Sequence, residues 1–278
     1  VNTFDRKFGP DFISGLPTSP GIYRIFNSAE ELIYVGKAKN LRRRLGQYRN
    51  AKRRKKHSKM RSIVKEAVRV SVELYPTDLA ACLAEAKIIQ ELRPKWNVAG
   101  AFYFLYPMIG IDYRGGVLHL LYTTEPEAIP AETLKEFSLH GAFRSRFLTG
   151  NGFFALMELL EYIGHRNRAA KLSKHTYRYA FRQMSEEWKQ ELELLFKGES
   201  SAAFERLVLA LVENAAARRK PKKIQLLLND IKRFWRHEAQ LLHRVRSRVG
   251  NPTYPIPQKQ RDILFLEHRF ARAEARSS

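Results

Sequence analysis

A short alternation of apolar and polar positions sets in at residue 21. Gly21 to Phe26 (GIYRIF) is β-branched and aromatic and predicts a strand. Asn27 to Glu30 predicts a turn and Glu31 to Gly36 (ELIYVG) a second strand, a hairpin opened by Pro20-Gly21 and closed at Gly36. The period then lengthens. Asn40 suits the N-cap of a helix whose apolar stripe is Leu41, Leu45 and Tyr48. A further helix is predicted from about His57 to Val68, carrying Met60, Ile63, Val64 and Val68. Val70 to Tyr75 (VSVELY) alternates again as a third strand, and Thr77 or Asp78 can cap a helix over 79–92 that ends before Pro94. The order is β-β-α-α-β-α.

Past residue 100 the pattern changes. Ala101 to Ile111 is apolar, and Arg114-Gly115-Gly116 predicts a hairpin turn. Gly152 to Gly164 reads as an amphipathic helix. Tyr177 to Val249 reads as almost wholly helical, with breaks at 198–201 and at Pro221. Pro252, Pro255 and Pro257 make the last segment irregular before a final helix over 261–276. The expected class is α+β: a small three-stranded antiparallel sheet with helices over 14–99, a connector with a β-hairpin over 100–142, a mainly helical domain over 143–250, and a tail over 251–278.

Composition sharpens this. The 278 residues suit about two domains. A 44% hydrophobic content excludes a disordered basic tail. There are 50 Lys and Arg against 28 Asp and Glu, a formal charge of +22, which favours a polyanionic partner. The charge is uneven, at +12 over 1–100, −3 over 101–142 and +13 over 143–278. From Lys37 to Arg61 there are 13 basic residues and no acid. Within that run Lys39, Arg42, Arg43, Lys52, Arg53, Arg54, Lys55 and Lys56 are candidate contacts to a DNA backbone; a solvated, solubilising face is the plainer alternative. The single Cys82 excludes a disulfide framework and an all-cysteine zinc or iron–sulfur site. No apolar run reaches the ~18 residues of a membrane span, and Val1 to Pro10 lacks a signal-peptide core, so a cytoplasmic protein without membrane contact is expected.

Four positions invite a chemical reading. Tyr23 and Tyr34 lie on adjacent predicted strands, each two residues from a glycine, which suits close approach of a phosphate to bare backbone; they could equally be ordinary strand tyrosines. Arg44 sits three residues after Leu41 and four before Tyr48, so it lies against the packed face, either as a pre-oriented phosphate clamp or as a snorkelling side chain. Glu85 has Ala81, Cys82, Ile88 and Ile89 as its helical neighbours. A carboxylate on so apolar a flank needs compensation, by a metal or by an ion pair.

Together these residues resemble the GIY-YIG nuclease domain. Gly21-Ile22-Tyr23 matches the first motif and Tyr34-Val35-Gly36 the second. "LPTSPGIYRI", "YVGKAKNLRRRL" and "LAEAKIIQELRPKWNV" are similar to the N-terminal domain of the UvrC excinuclease subunit and its short relative Cho, over residues 14–98. The resemblance implies a metal-dependent DNA endonuclease. Glu85 would hold one Mg²⁺ or Mn²⁺, and Tyr23 or Tyr34 would orient or deprotonate the attacking water. Lys37 would lower that tyrosine's pKa or touch the phosphate, Arg44 would stabilise developing charge, and Asn97 would order the site. It further implies double-stranded DNA as substrate, 3′-side incision in nucleotide excision repair under the SOS response, and a UvrB-like loading partner. Against that partner, Lys220 to Lys223 stand where acidic residues are expected. Residues 166–184 contain no cysteine, so no iron–sulfur cluster is expected. The alternatives are a stand-alone GIY-YIG nuclease on branched or foreign DNA, and a catalytically weak DNA-binding scaffold.

Overall fold

The computed structural model describes residues 2–52, 54–98, 101–167 and 170–275. The chain divides into two compact units, residues 1–103 with 265–278, and residues 104–264.

In the first unit β1 (Gly21–Phe26) is the middle strand, paired antiparallel to β2 (Leu32–Ala38) on one side and β3 (Arg69–Leu74) on the other. Tyr23 and Ile25 point to one face, where they meet Leu41, Leu45 and Tyr48 of α2 (Leu41–Arg49) and Ile63 and Val64 of α3 (Ser58–Glu66). Val35 points the other way, onto Ile89 of α4 (Asp78–Leu92). The caps are those the sequence predicts: the Asn40 side chain accepts from the Arg43 amide, and Thr77 from that of Ala80. An additional N-terminal helix, α1 (Thr3–Phe8), has no counterpart in the predicted elements. It is held by an Asp5–Arg49 pair at 2.6 and 2.9 Å and by packing of Phe4 in the core.

Both motif glycines are packing devices. A Cβ on Gly36 would lie 2.4 Å from the hydroxyl and Cζ of Tyr23, its partner across the hairpin. A Cβ on Gly21 would lie 2.4 Å from the Glu73 carbonyl and 2.7 Å from Leu41 Cδ1. The bare backbone expected to admit a phosphate is therefore filled at Gly36 by the Tyr23 ring itself.

The second unit holds β4 (Met108–Arg114), β5 (Val117–Thr123), β6 (Ser138–Gly141), β7 (His165–Arg166), β8 (Ala170–Ser173) and β9 (Thr176–Arg182) in one antiparallel sheet, with β5 central between β4 and β9 and β8 also paired to β9. The β4–β5 turn is the predicted Gly115-Gly116, with φ of 57° and 75°, the left-handed pair that a two-residue hairpin requires. The expected connector thus supplies strands to a sheet. Thr176–Arg182 is a strand rather than the start of a helical run. TYRYAFR alternates, is aromatic, and pairs with β5 along its whole length. The unit's helices are α6 (Arg146–Leu160), which precedes β7, and α7 (Glu186–Lys197), α8 (Ala202–Glu213), α10 (Pro221–Phe234) and α11 (Gln240–Val249), which follow β9, with short α5 (Ala131–Lys135) before β6 and α9 (Ala215–Arg218) after α8. α6 starts six residues before its predicted start because Ser145 caps it. The predicted break at Pro221 falls between α9 and α10, with Pro221 as the first residue of α10. The last helix, α12 (Gln258–Glu274), lies in the second unit up to Leu264 and in the first from Phe265. Among the described residues no helix is long and apolar enough to cross a membrane.

His140 of β6 is 1% exposed, with Nδ1 3.0 Å from the Tyr254 hydroxyl and Nε2 buried without a partner. Burial pulls its pKa down to about 4. The unfolded chain takes up this proton near pH 6.5 and the folded chain only near 4, so stability falls as pH drops across that interval, by about 3 kcal/mol at most. His140→Gln should remove this part of the pH dependence. Urea unfolding at pH 7 and pH 4.5 measures it, and an equal loss in both proteins would contradict the assignment.

Candidate active site

Three tyrosines form a triangle beneath α2. The ring centroids of Tyr23, Tyr34 and Tyr48 lie 5.8 to 6.4 Å apart. Strand alternation puts Tyr34, Gly36 and Tyr23 on one face, and helical spacing brings Tyr48 down onto them. Tyr23 is fully buried, and its hydroxyl is 3.2 Å from that of Tyr48. Arg44 donates from Nε to the same Tyr23 oxygen at 3.2 Å, donates to Gln47 at 2.6 Å, and stacks 5.6 Å from the Tyr48 ring centroid. Burial pushes the Tyr23 and Tyr48 phenols above their ordinary pKa, with Arg44 opposing, so both are protonated at neutral pH. Tyr34 is half-buried, with Lys59 Nζ 5.2 Å from its ring centroid.

Glu85 lies at the outer edge of β2. An edge strand leaves N–H and C=O groups unpaired, and here side chains satisfy them. Glu85 Oε1 accepts from the Lys37 amide at 3.2 Å. The Asn97 side chain accepts from the Val35 amide at 2.9 Å and donates to the Val35 carbonyl at 2.8 Å, while the Trp96 amide donates to Ile33. Asn97 is 8% exposed and acts as a one-residue strand partner that fixes β2 between Tyr34 and Gly36. Burial raises the Glu85 pKa, opposed by the Lys37 amide and by the charges of Lys37, Arg44 and Arg269. The Arg44 charge thus acts on Glu85 as well as on the tyrosines.

Most of the predicted residues are brought together, with differences in role. Lys37 reaches neither tyrosine. Its Nζ pairs with Asp78 at 2.8 Å, because strand alternation turns it to the face opposite Tyr34. Burial alone would lower the Lys37 pKa, but the Asp78 hydrogen bond and charge hold it above the usual value. Lys39 is exposed, 3.9 Å from Asp78. Arg42 donates to the Leu16 carbonyl at 2.7 Å and so also braces the chain. Arg43, Lys52, Arg54, Lys55 and Lys56 are exposed, and Arg53 lies outside the described residues. Among the described residues no group of three or more His, Cys, Asp or Glu could hold a metal.

Three contributors are hidden in the sequence. Tyr48 has the spacing of one more apolar stripe position, Asp78 that of a cap candidate, and Arg269 belongs to the tail. Arg269 of α12 donates to Cys82 Sγ at 3.7 Å, one helical turn from Glu85. Its sequence separation of 187 residues from Cys82 hides it from any local pattern.

Comparison with known proteins finds relatives over the same residues. The UvrC-like GIY-YIG domain family matches residues 19–98. The UvrABC system protein C of Agrobacterium fabrum is 39% identical over 88 residues, 32% of this chain and 13% of the relative. That of Francisella tularensis subsp. holarctica is 38% identical over 109 residues, 39% of this chain and 17% of the relative. The chain therefore spans less than a fifth of the length of these curated relatives. A solved structure, the GIY-YIG N-terminal endonuclease domain of UvrC from Thermotoga maritima bound to its catalytic divalent cation, magnesium, is 35% identical. It covers 31% of this chain and 91% of that one, with a TM-score of 0.28. Residues 19–98 thus match a UvrC-like GIY-YIG domain.

Proposed function

We propose, from a UvrC-type GIY-YIG domain as premise, that this chain is a metal-dependent DNA endonuclease making the 3′-side incision of nucleotide excision repair. The observation that carries the reading is the shared reach of Arg44, which donates to the Tyr23 hydroxyl and whose charge also acts on Glu85. Glu85 lies along the same strand, with Oε1 accepting from the Lys37 amide one residue past Gly36.

Tyr23 and Tyr48 keep their protons at neutral pH, so they serve as hydrogen-bonding groups rather than bases. Tyr34 is the half-buried member and the one placed to orient an attacking water. Arg44 stabilises charge that builds on the phosphate oxygens, from a position set by Tyr23 and Gln47. Lys37, held cationic by Asp78, adds positive potential beside Glu85. Glu85 offers one hard carboxylate oxygen, and a single Mg²⁺ held by one carboxylate keeps most of its waters. Bound there, the cation would supply Lewis-acid neutralisation of the scissile phosphate. Asn97 positions this machinery through β2.

The exposed basic residues from Lys39 to Lys56 are read as duplex-backbone contacts. Replacing Lys52, Lys55 and Lys56 together by glutamine should weaken duplex binding and flatten its dependence on salt, by about 0.9 in log–log slope for each phosphate that the variant no longer neutralises. Binding isotherms between 50 and 200 mM salt measure this, and an unmoved slope would remove the cluster from the interface.

Incision of a duplex carrying one bulky lesion, with and without damage-loading partners such as a UvrB-like protein, tests the repair role. Partner-dependent cutting on the 3′ side of the lesion is expected. Lesion-independent cutting would favour a stand-alone nuclease instead.

A further inference from the structure

Positions 146, 147, 150, 151 and 154 fall on one face of α6. That face, with Tyr122 of β5 and Tyr177 of β9, lines an open cleft of about 610 Å³ in the second unit. The volume lies within the range of small-ligand pockets.

Three features separate it from a packing gap. Its walls are aromatic: the Phe154 ring lies 5.5 Å from Tyr122 and edge-on to Tyr177 at 5.2 Å, and Phe147 stands at the rim 65% exposed. Its floor is Gly150. A Cβ there would meet only the Tyr122 hydroxyl at 3.7 Å and Phe154 at 3.9 Å, so alanine would fit and would strengthen the helix. Two residues on, Gly152 does have a steric reason, because a Cβ would lie 2.4 Å from Phe234. Finally, Thr124 lines the cavity 2% exposed, and its hydroxyl has no hydrogen-bond partner. A buried hydroxyl left unmatched at a cleft wall calls for a partner, either a water or a polar atom of a ligand. Arg146 is exposed on the same lining, with Asn151 and His175.

Aromatic faces, an edge-reading hydroxyl and amide, and a guanidinium at the mouth match one chemistry, a flat heterocycle carrying a phosphate. We propose that this cavity receives a nucleobase displaced from a DNA strand, with the base against the aromatic wall, its edge toward Thr124 and Asn151, and its phosphate on Arg146. The DNA source follows from the proposed function, whereas the chemistry of the pocket stands apart from catalysis.

The test uses the full chain in EDTA, so that cleavage plays no part. The probes are a duplex with one unpaired 2-aminopurine, the same duplex fully paired, and free 2-aminopurine nucleoside monophosphate. The wild-type chain is expected to favour the unpaired probe by about tenfold, the worth of one base stack, and to quench its fluorescence. Gly150→Leu fills the floor and should abolish both preference and quenching, with thermal unfolding as the check on its fold. Arg146→Gln and Phe147→Ala change exposed residues and should each weaken the preference several-fold, which keeps the test open if Gly150→Leu does not fold. A wild-type chain without preference for the unpaired base would overturn the proposal, as would folded variants that keep the preference. Equal affinity for the free monophosphate would overturn the strand assignment. Because no metal is present, loss of this binding is distinguishable from failure of the nuclease reading, which is scored by Mg²⁺-dependent nicking alone.

Discussion

Glu85→Gln is expected to lower Mg²⁺-dependent nicking of duplex DNA by roughly 10²–10³-fold or more, the scale of losing one charge-stabilising group from a site. Glutamine keeps the volume and can still accept from the Lys37 amide, so β2 stays in place. What it loses is the anionic oxygen that a divalent cation requires. DNA affinity should be unchanged or slightly tighter, since a negative charge is removed from a basic surface. Nicking and binding assays on the same preparation separate the two effects. Wild-type nicking by the variant would remove Glu85 from the mechanism.

Gly36→Ala carries the second large effect. Its Cβ would stand 2.4 Å from the Tyr23 hydroxyl and Cζ, and that ring is fully buried and cannot swing away. Overpacking of this kind costs about 1–3 kcal/mol. It also displaces the phenol that Arg44 and Tyr48 hold. We expect a lower melting temperature together with a loss of incision larger than the stability loss explains. Melting and incision both at wild-type level would show that the Tyr23 ring does not occupy the space over Gly36.

Much of the nuclease domain is legible in its sequence because its determinants are local. The hairpin, the Asn40 and Thr77 caps and the Leu41–Leu45–Tyr48 stripe are short-range patterns, and the structure has them where they are predicted. What is less legible depends on tertiary contact. Tyr48 has the spacing of a core residue and is one, yet its hydroxyl meets Tyr23. Lys37 follows the second motif directly, but strand alternation turns it to Asp78. Thr176–Arg182 sits at the head of a helical stretch, and pairing with β5 makes it a strand. Arg269 approaches Cys82 only because the last helix returns to the first unit.

The charge asymmetry acquires a physical location in the same way. The acid-free segment from Lys37 to Arg61 contains Arg44, turned inward onto Tyr23, and exposed lysines and arginines turned outward. One helix and the loop after it thus carry both the proposed phosphate clamp and the exposed basic surface proposed to meet the DNA backbone.

The tyrosine triangle, Arg44 and Glu85 are proposed to form one metal-dependent phosphodiester-cleaving centre. Nicking of supercoiled plasmid by the wild-type chain, measured across a Mg²⁺ titration with an EDTA arm, tests it most directly. Saturable, Mg²⁺-dependent conversion to the open circle is expected, with none in EDTA. Cutting that persists undiminished in EDTA, or DNA binding with no cutting at any Mg²⁺ concentration, would contradict it.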